Sequence, residues 1–361
     1  MPKSVRSLAF FIFITLGIGL TAQRVVAAQC YFHSANLGYI CETRPVPPQF
    51  VSPIPEPDGL LDHRSYAYLD DYVNVYPEPT TAVAPLRNVG RGYFYVSVNY
   101  PLKNDQGELW YMINPGEYVP ESAIRPVEIS QFSGVVLTSP PERPFGWILA
   151  RVRPSSTPGG EPNPDYSMLE RYTFFEVMDA QVVPTDDDWI WYNIGGDRWI
   201  RQTYVGLVDP SPRPAEVGEN EFWSEVDLYE QTFAAYEGDR MVFASLISSG
   251  LNRWPTREGL YQVWDRWDET LMDGAEGKVD YYVVEDVPYT MYFDKVMEIA
   301  LHGAYWHDRF GYKHSHGCVN MPPLAAQWVY NWSATGPDAL WVYVHTSDPT
   351  HYFTRFGQRD G

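Results

Sequence analysis

Four histidines and a cysteine near the end of the chain could do chemistry together. Residues 314–321 read HSHGCVNM, so two histidines and Cys318 fall within five positions. A thiol with a pKa of about 8.5 is only a few per cent thiolate at neutral pH, so an enzyme that uses it as a nucleophile adds a base. These residue types suit acyl transfer by a cysteine nucleophile. The candidate bases are His302, His307, His314 and His316.

The neighbours of Cys318 add groups that this chemistry would use. Gly317 gives the backbone room to turn, so adjacent N–H groups could point at a developing oxyanion. Asn320 could orient a neighbouring group or donate a hydrogen bond. Two other interpretations stay open: His314, His316 and Cys318 project to one face of an extended chain and could bind zinc, or the cysteine could be inert and buried. No CxxC pair and no nearby carboxylate supports zinc, so we predict no metal.

The N-terminus is typical of an exported protein. Lys3 and Arg6 form a short positive region, and an apolar run follows at 8–20. This run is shorter than the roughly 20 residues that a bilayer-spanning helix needs. We therefore predict a signal peptide at 1–28 with a small-residue cleavage site ending at Ala28, and a protein that is secreted or associated with a bacterial cell envelope. The alternative is an uncleaved membrane anchor.

In an exported protein Cys30 and Cys41 could pair with each other. Cys30 and Cys41 flank a short segment, and an oxidising compartment favours a disulfide between them. This pairing leaves Cys318 as a free thiol.

Composition limits the classes of partner and fold. The formal net charge of the 361-residue chain is −20, which argues against nucleic acid or an anionic membrane surface as a partner. Tyrosine, tryptophan, valine and proline are abundant, and no long stretch rich in Ala, Glu and Lys occurs. The composition predicts a mainly β protein without an integral membrane domain in the mature chain.

An internal repeat occupies the middle of the chain. The segment LWYMINPGEYVPESAI from Leu109 aligns with IWYNIGGDRWIRQTYV from Ile190, and the same offset of 81 pairs Tyr93 and Phe94 with Phe174 and Phe175. Each unit has short alternating strands and a Gly-containing turn. We interpret them as two small β-barrels that resemble the SH3-like modules of bacterial cell-envelope proteins. They are either peptidoglycan-binding modules or spacers.

The last part of the chain, from Glu221, predicts a β-rich domain. Apolar positions alternate on both sides of residues 237–239, which indicates a hairpin, and more strand-like runs follow. One helical stretch, 322–334, comes directly after the cysteine, with two prolines suited to a first turn.

The segment HGAYWHDRFGYKHSHGCVN, 302–320, resembles the signature of the L,D-transpeptidase catalytic domain, also called the YkuD domain. That signature has a histidine, a spacer, and then Ser/Thr-His-Gly-Cys, a hydrophobic residue and Asn. The likeness extends upstream over about 125 residues, and the fold that it implies is a β-sandwich-like domain with a short helix after the nucleophile. Some members of the family carry serine after the first histidine, where this chain has Gly303. A backbone carbonyl would then have to hold the imidazole of His302.

The resemblance implies a reaction and a role for each residue. Cys318 would attack a peptidoglycan tetrapeptide stem and release D-alanine, and an amine of a second stem would attack the thioester to give a 3→3 cross-link. His302 would move the protons, and backbone N–H groups around Gly317 and Cys318 would hold the oxyanion. No cofactor is implied, and the partners are peptidoglycan stem peptides. The residues implied to shape the site or bind substrate are Ser315, His316, Gly317, Asn320, Trp306, Tyr292 and Gly303.

Together these patterns predict seven segments and leave two alternatives open. With water as acceptor the enzyme would be an L,D-carboxypeptidase, and with an inactive last domain the protein would only bind peptidoglycan. Because the base must be neutral, we expect the rate of transfer to fall below about pH 6.

The predicted segments are a signal peptide at 1–28, a cysteine loop and Pro-rich linker at 29–64, SH3-like repeats at 65–129 and 130–208, a linker at 209–220, the catalytic domain at 221–346 and a tail at 347–361.

Overall fold

The computed structural model describes residues 29–34, 38–42, 51–52, 54, 59–62 and 64–351. For 29–34, 38–42 and residue 62 it describes the backbone alone. The predicted signal peptide at 1–28 and residues 352–361 of the predicted tail lie outside this part of the chain. None of the helices in the described segments is long and apolar enough to cross a membrane.

Before Arg64 the chain forms short elements: β1 (Gln29–Ser34), β2 (Gly38–Glu42), β3 (Val51–Ser52) and the single helical turn α1 (Gly59–Asp62). The first repeat contains β4 (Ser65–Leu69), β5 (Asn74–Val75), β6 (Arg87–Asn88), β7 (Tyr93–Val98), β8 (Leu102–Lys103), β9 (Leu109–Asn114), β10 (Glu117–Pro120) and β11 (Ile124–Val127). The next part contains β12 (Val135–Leu137), β13 (Phe145–Ile148), β14 (Phe174–Glu176), β15 (Asp179–Val183), β16 (Trp189–Asn193), β17 (Trp199–Arg201) and β18 (Val205–Val208).

The C-terminal part holds the longest strands and the longer helix. Helix α2 follows the cysteine as the sequence predicts, with Pro323 in its first turn, where a missing N–H costs nothing. The elements are β19 (Phe222–Asp227), β20 (Thr232–Glu237), β21 (Arg240–Leu246), β22 (Gly259–Gln262), β23 (Asp265–Gly274), β24 (Tyr282–Asp294), β25 (Ile299–Gly303), β26 (Val319–Met321), α2 (Pro323–Ser333) and β27 (Trp341–His345).

Two sheets of seven strands dominate the structure, which is mainly β as predicted. Sheet I has the order β22-β27-β19-β20-β21-β12-β3. Sheet II has the order β11-β4-β7-β24-β25-β26, and β23 pairs with β24. The main core lies between the two sheets and α2, and its buried side chains include Val226, Phe233, Phe243, Met291, Leu301, Val319, Leu324 and Val329.

The two repeats contain equivalent elements at the predicted offset of 81 residues. Strand β11 begins at Ile124 and β18 at Val205, and each follows a 3₁₀ turn, Glu121–Ala123 in one unit and Gln202–Tyr204 in the other. Each unit also has a small core of its own. Their identity as SH3-like barrels stays a prediction.

Strand β12, just after the predicted boundary at residue 130, belongs to sheet I. Strand β12 pairs with β21, Val135 opposite Ala244, and β3 pairs with β12. Ile54 and Leu61 from the predicted Pro-rich linker are buried in the main core. The reason is that β21 would otherwise be an unpaired edge, and segments before and after the first repeat cover it.

The predicted linker at 209–220 packs on sheet I, and the start of the predicted tail packs on the second repeat. Val217 is buried, and Ser211 donates a hydrogen bond to Glu225. His351 Nδ1 lies 2.8 Å from Asp348, and its ring lies 4.8 Å from that of Trp189 in the second repeat. These segments are therefore part of the packed structure rather than extended connections.

The first repeat is continuous with sheet II. Strand β7 pairs in parallel with β24, Tyr93 opposite Tyr282. Arg64, the residue directly before the repeat, forms ion pairs with Glu269 on β23 and Asp286 on β24. The repeat thus fixes the long hairpin β23–β24 from outside.

The backbones of Cys30 and Cys41 are register partners in the hairpin β1–β2. Their side chains lie outside the described part of the chain, so the disulfide between them stays a prediction.

A paired glycine substitution tests the packing of residues 130–137 on sheet I. Gly134 has φ of +79°, and a Cβ there would lie 2.3 Å from the carbonyl oxygen of Ala244. Gly107 has φ of +82° with no atom within 4 Å of the same position. Both Gly→Ala variants carry a similar backbone strain of about 1 kcal/mol, but only Gly134→Ala also pushes on β21. We expect Gly134→Ala to lower the free energy of unfolding in urea by about 2 kcal/mol more than Gly107→Ala. Equal losses would contradict the packing.

Candidate active site

Two adjacent parallel strands place the predicted base beside the predicted nucleophile. In β25 and β26, His302 pairs with Asn320 and Leu301 with Val319. Cys318 is the residue immediately before β26. His302 and Cys318 therefore line one cavity of about 450 Å³, although sixteen positions separate them in the sequence.

His302 is held neutral by its surroundings. Its side chain is 1% exposed, and burial lowers its pKa to about 4. Its Nδ1 lies 3.4 Å from the carbonyl oxygen of Gly303, where an Nδ1–H would point at an acceptor. This tautomer leaves Nε2 as a proton acceptor.

Gly303 has no room for a side chain. A Cβ there would lie 2.9 Å from Cγ of Pro288 and 3.3 Å from Cα of Pro323. The backbone carbonyl of Gly303 is thus the group that meets the imidazole at this position.

The thiol of Cys318 is also held neutral. Cys318 is a free cysteine and partly exposed, and desolvation raises the pKa of its thiol to about 11, against an opposing hydrogen bond from the backbone of Ala300. The thiol and the imidazole are both uncharged over a wide pH range, so they form a neutral pair rather than a thiolate–imidazolium pair.

Ser315 stabilises the turn that carries the cysteine. Its hydroxyl donates a hydrogen bond to the carbonyl oxygen of Cys318 and accepts one of 3.1 Å from the N–H of Gly317. Gly317 has φ of +131°, which L side chains rarely adopt, and its carbonyl accepts a 2.6 Å hydrogen bond from Thr256. The N–H of Gly317 is therefore already engaged, unlike in the predicted oxyanion site. The N–H of Cys318 has no acceptor within residues 64–351.

His316 packs between Trp254 and Asp280 at the cavity. Its ring lies 3.9 Å from that of Trp254, and its Nε2 is 3.5 Å from Asp280, which is long for a hydrogen bond. Desolvation lowers its pKa, and Asp280 opposes the shift. His316 thus helps to build the wall of the cavity.

His307, His314 and Asn320 form a second group beside the cavity. The rings of His307 and His314 meet edge to face at 4.2 Å. His307 Nδ1 lies 3.1 Å from the backbone N of Arg309, and its Nε2 lies 2.9 Å from Nδ2 of Asn320. Desolvation lowers the pKa of His307 well below its usual value and that of His314 to about 4, so the group is uncharged.

The predicted aromatic residues lie in different positions. Trp306 lines the cavity and stacks on His302 with 5.6 Å between ring centroids. Tyr292 is not among the lining residues, but Cys318 contributes to the raised pKa of its phenol after desolvation. Tyr282 lines the cavity and has its pKa raised to about 12 by desolvation and by Cys318.

Sequence reasoning missed the walls that other segments supply. Tyr93 and Tyr95 come from the first repeat, and Arg253 comes from the loop after β21. Asp280 and Tyr282 come from the hairpin β23–β24. The motif carries no signal for these residues, because tertiary pairing alone brings them to the cavity.

The described segments contain no group of three His, Cys, Asp or Glu side chains placed to hold a metal ion. His314 and His316 turn to different neighbours, so the zinc alternative finds no ligand set there.

The comparison with known proteins agrees with this geometry. Residues 221–344 match the family model of the L,D-transpeptidase catalytic domain (YkuD). This part of the chain is a YkuD-type L,D-transpeptidase catalytic domain. Strands β3 and β12 and the first repeat complete the sheets of this YkuD domain from outside the matched residues.

The relatives of the YkuD domain are distant. "Putative L,D-transpeptidase YciB" of Bacillus subtilis (strain 168) is 26% identical over 152 residues, which cover 38% of this chain and 75% of that protein. The solved Ldtfm–avibactam carbamoyl enzyme is 26% identical over 36% of this chain and 51% of that chain, with a TM-score of 0.32. A mutant L,D-transpeptidase of Enterococcus faecium is 25% identical over 35% of this chain and 50% of that chain, with a TM-score of 0.31. This chain thus spans about half the length of the two solved proteins, and the assignment rests on the family match.

The raised thiol pKa predicts slow alkylation of the YkuD cysteine at neutral pH. Because only the thiolate reacts, the rate of Cys318 modification by iodoacetamide should rise about tenfold per pH unit from pH 7 to 10. Intact-mass measurements at several pH values give the rate. A plateau at or below pH 8 would show a stable thiolate and contradict the neutral pair.

Proposed function

We propose that this protein is an exported L,D-transpeptidase that forms 3→3 cross-links between peptidoglycan stems. The observation that carries the proposal is the shared cavity of His302 and Cys318 within the domain that matches the family. Export is supported by the sequence pattern of residues 1–28. The membership in a peptidoglycan-acting family supports stem peptides as substrates.

The first half of the proposed reaction forms a thioester. Cys318 Sγ attacks the carbonyl of the third stem residue while His302 Nε2 takes the thiol proton. In this proposal the N–H of Cys318 donates to the oxyanion. When the tetrahedral intermediate collapses, the protonated His302 gives its proton to the leaving amine, and D-alanine departs.

The second half reverses the proton movements. The amine of a second stem attacks the thioester carbonyl, and His302 Nε2 takes a proton from it. The new amide forms as the C–S bond breaks, and the sulfur regains a proton from His302. The neutral resting pair needs no permanent charge in the cavity, since each charge arises only as the bond forms.

The direct test is turnover of a defined donor. The mature protein with a disaccharide tetrapeptide should release D-alanine and form a cross-linked dimer, both measured by mass spectrometry. Cys318→Ala and His302→Ala should each lower the rate at least about 10³-fold. His351→Ala is the matched control, because its ring lies on Trp189 and Asp348 outside the cavity, and it should retain activity. Equal product from Cys318→Ala would refute the proposal, and monomeric tripeptide without dimer would favour the carboxypeptidase alternative.

The pH dependence of acylation separates the buried base from an ordinary histidine. The pKa of His302 is lowered to about 4, so its neutral form persists as pH falls and is lost only through that pKa. We therefore expect Cys318 acylation by the tetrapeptide to continue at pH 5 and to fall near pH 4. The acylation rate should be measured by intact mass from pH 3.5 to 8. A midpoint near 6.5 would contradict the buried base.

A further inference from the structure

The first repeat contributes two side chains to the cavity of Cys318. Tyr93 and Tyr95 on β7 both line it. Strand β7 reaches the cavity because it pairs in parallel with β24, with Tyr93 opposite Tyr282 and Tyr95 opposite Val284. Alternate residues of a strand share a face, so the two tyrosines point the same way while Phe94 between them is buried in the core of the repeat.

Tyr95 is connected to the base through one ring. Its ring centroid lies 6.2 Å from that of Trp306, which in turn stacks on His302. Tyr95 also meets Tyr305 at 6.4 Å. Burial raises the pKa of Tyr95 to about 12, so the phenol stays neutral and the packing carries no charge.

Tyr93 is about half exposed to solvent at the wall of the cavity. Its side chain is 51% exposed although it lines the cavity. An exposed tyrosine at a cavity wall offers an apolar face together with a hydroxyl group, which suits contact with a peptide chain.

Several contacts hold the first repeat against the catalytic domain, so that β7 can form a wall of the cavity. Tyr66 stacks on Tyr305 with 3.7 Å between ring centroids. Arg64 lies 2.9 Å from Asp286 on β24. The strand pairing, the stacked rings and the ion pair hold β7 against the catalytic domain.

The position of His302 indicates which substrate Tyr93 and Tyr95 would contact. In the proposed function, on which this inference rests, His302 protonates the leaving amine and deprotonates the attacking amine. Both amines must therefore occupy the His302 side of Cys318. Trp306 and Tyr95 extend the cavity wall from His302, on that side, and Tyr93 lines the same cavity two residues away on β7, opposite Tyr282.

We propose that the first repeat forms part of the subsite for the attacking amine. Tyr93 contacts the acceptor peptide that bears the amine. Tyr95 is a positioning residue that holds Trp306 against His302. The repeat is thus a working part of the active site rather than a spacer.

The test for Tyr93 separates the two half-reactions. Donor acylation of Cys318 is followed by intact mass, and transfer is followed with a tripeptide stem that bears a free side-chain amine as acceptor. Tyr93→Ala should raise the KM for the acceptor about fivefold and leave donor acylation within about twofold. Tyr100→Ala is the matched control, since Tyr100 belongs to the same repeat, is 92% exposed and lies outside the cavity, and it should change neither value.

Tyr95 is tested by a pair of variants. Tyr95→Ala should lower kcat for both half-reactions while the acceptor KM changes little, and Tyr95→Phe should restore kcat because it keeps the ring on Trp306. A Tyr95→Phe variant as slow as Tyr95→Ala would contradict the positioning role.

The possible failures are distinguishable. Wild-type protein that neither acylates nor transfers contradicts the proposed function. Wild-type transfer with an unchanged acceptor KM in Tyr93→Ala contradicts this inference alone.

Discussion

The parallel pairing of β25 with β26 is the contact on which the active site depends. It puts His302 opposite Asn320, two positions after Cys318, so the base that the thiol needs lines the same cavity. Residues 304–318 connect the two strands, and contacts with other parts of the chain hold this loop in place. The carbonyl of Ser249, after β21, accepts a 3.1 Å hydrogen bond from the N–H of Ser315, and in the second repeat Tyr172 donates a 2.8 Å hydrogen bond to Asp308. Two separate parts of the chain therefore shape this loop.

Burial then sets the chemistry of the pair. The same walls that enclose the cavity lower the pKa of His302 to about 4 and raise that of Cys318 to about 11. Both shifts favour the uncharged forms, because desolvation penalises each charge. Such a site does not store a reactive thiolate in an oxidising compartment. It forms the thiolate only as the bond to the substrate forms, which agrees with a free cysteine in a protein proposed to be exported.

The sequence predicted the residues of the site that lie in one motif, and their catalytic roles stay predictions. It predicted His302, the turn around Gly317, the short helix after the cysteine and the repeats with their offset of 81 residues. It could not predict that Gly134 packs on β21 or that Tyr93 reaches the cavity, because these contacts depend on strand pairing across more than a hundred residues. It also assigned His302 an ordinary pKa, since burial is a property of the fold.

The neutral state of the pair is the central claim, and NMR of the imidazole nitrogens tests it most directly. Spectra of ¹⁵N-histidine-labelled protein from pH 3.5 to 8, with His302→Asn to assign the resonances and Cys318→Ser to remove the thiol, report the protonation state and the tautomer. The account predicts a neutral His302 with its proton on Nδ1 at pH 7 in both the wild type and Cys318→Ser. An imidazolium at pH 7 that disappears in Cys318→Ser would show a thiolate–imidazolium pair and contradict the account.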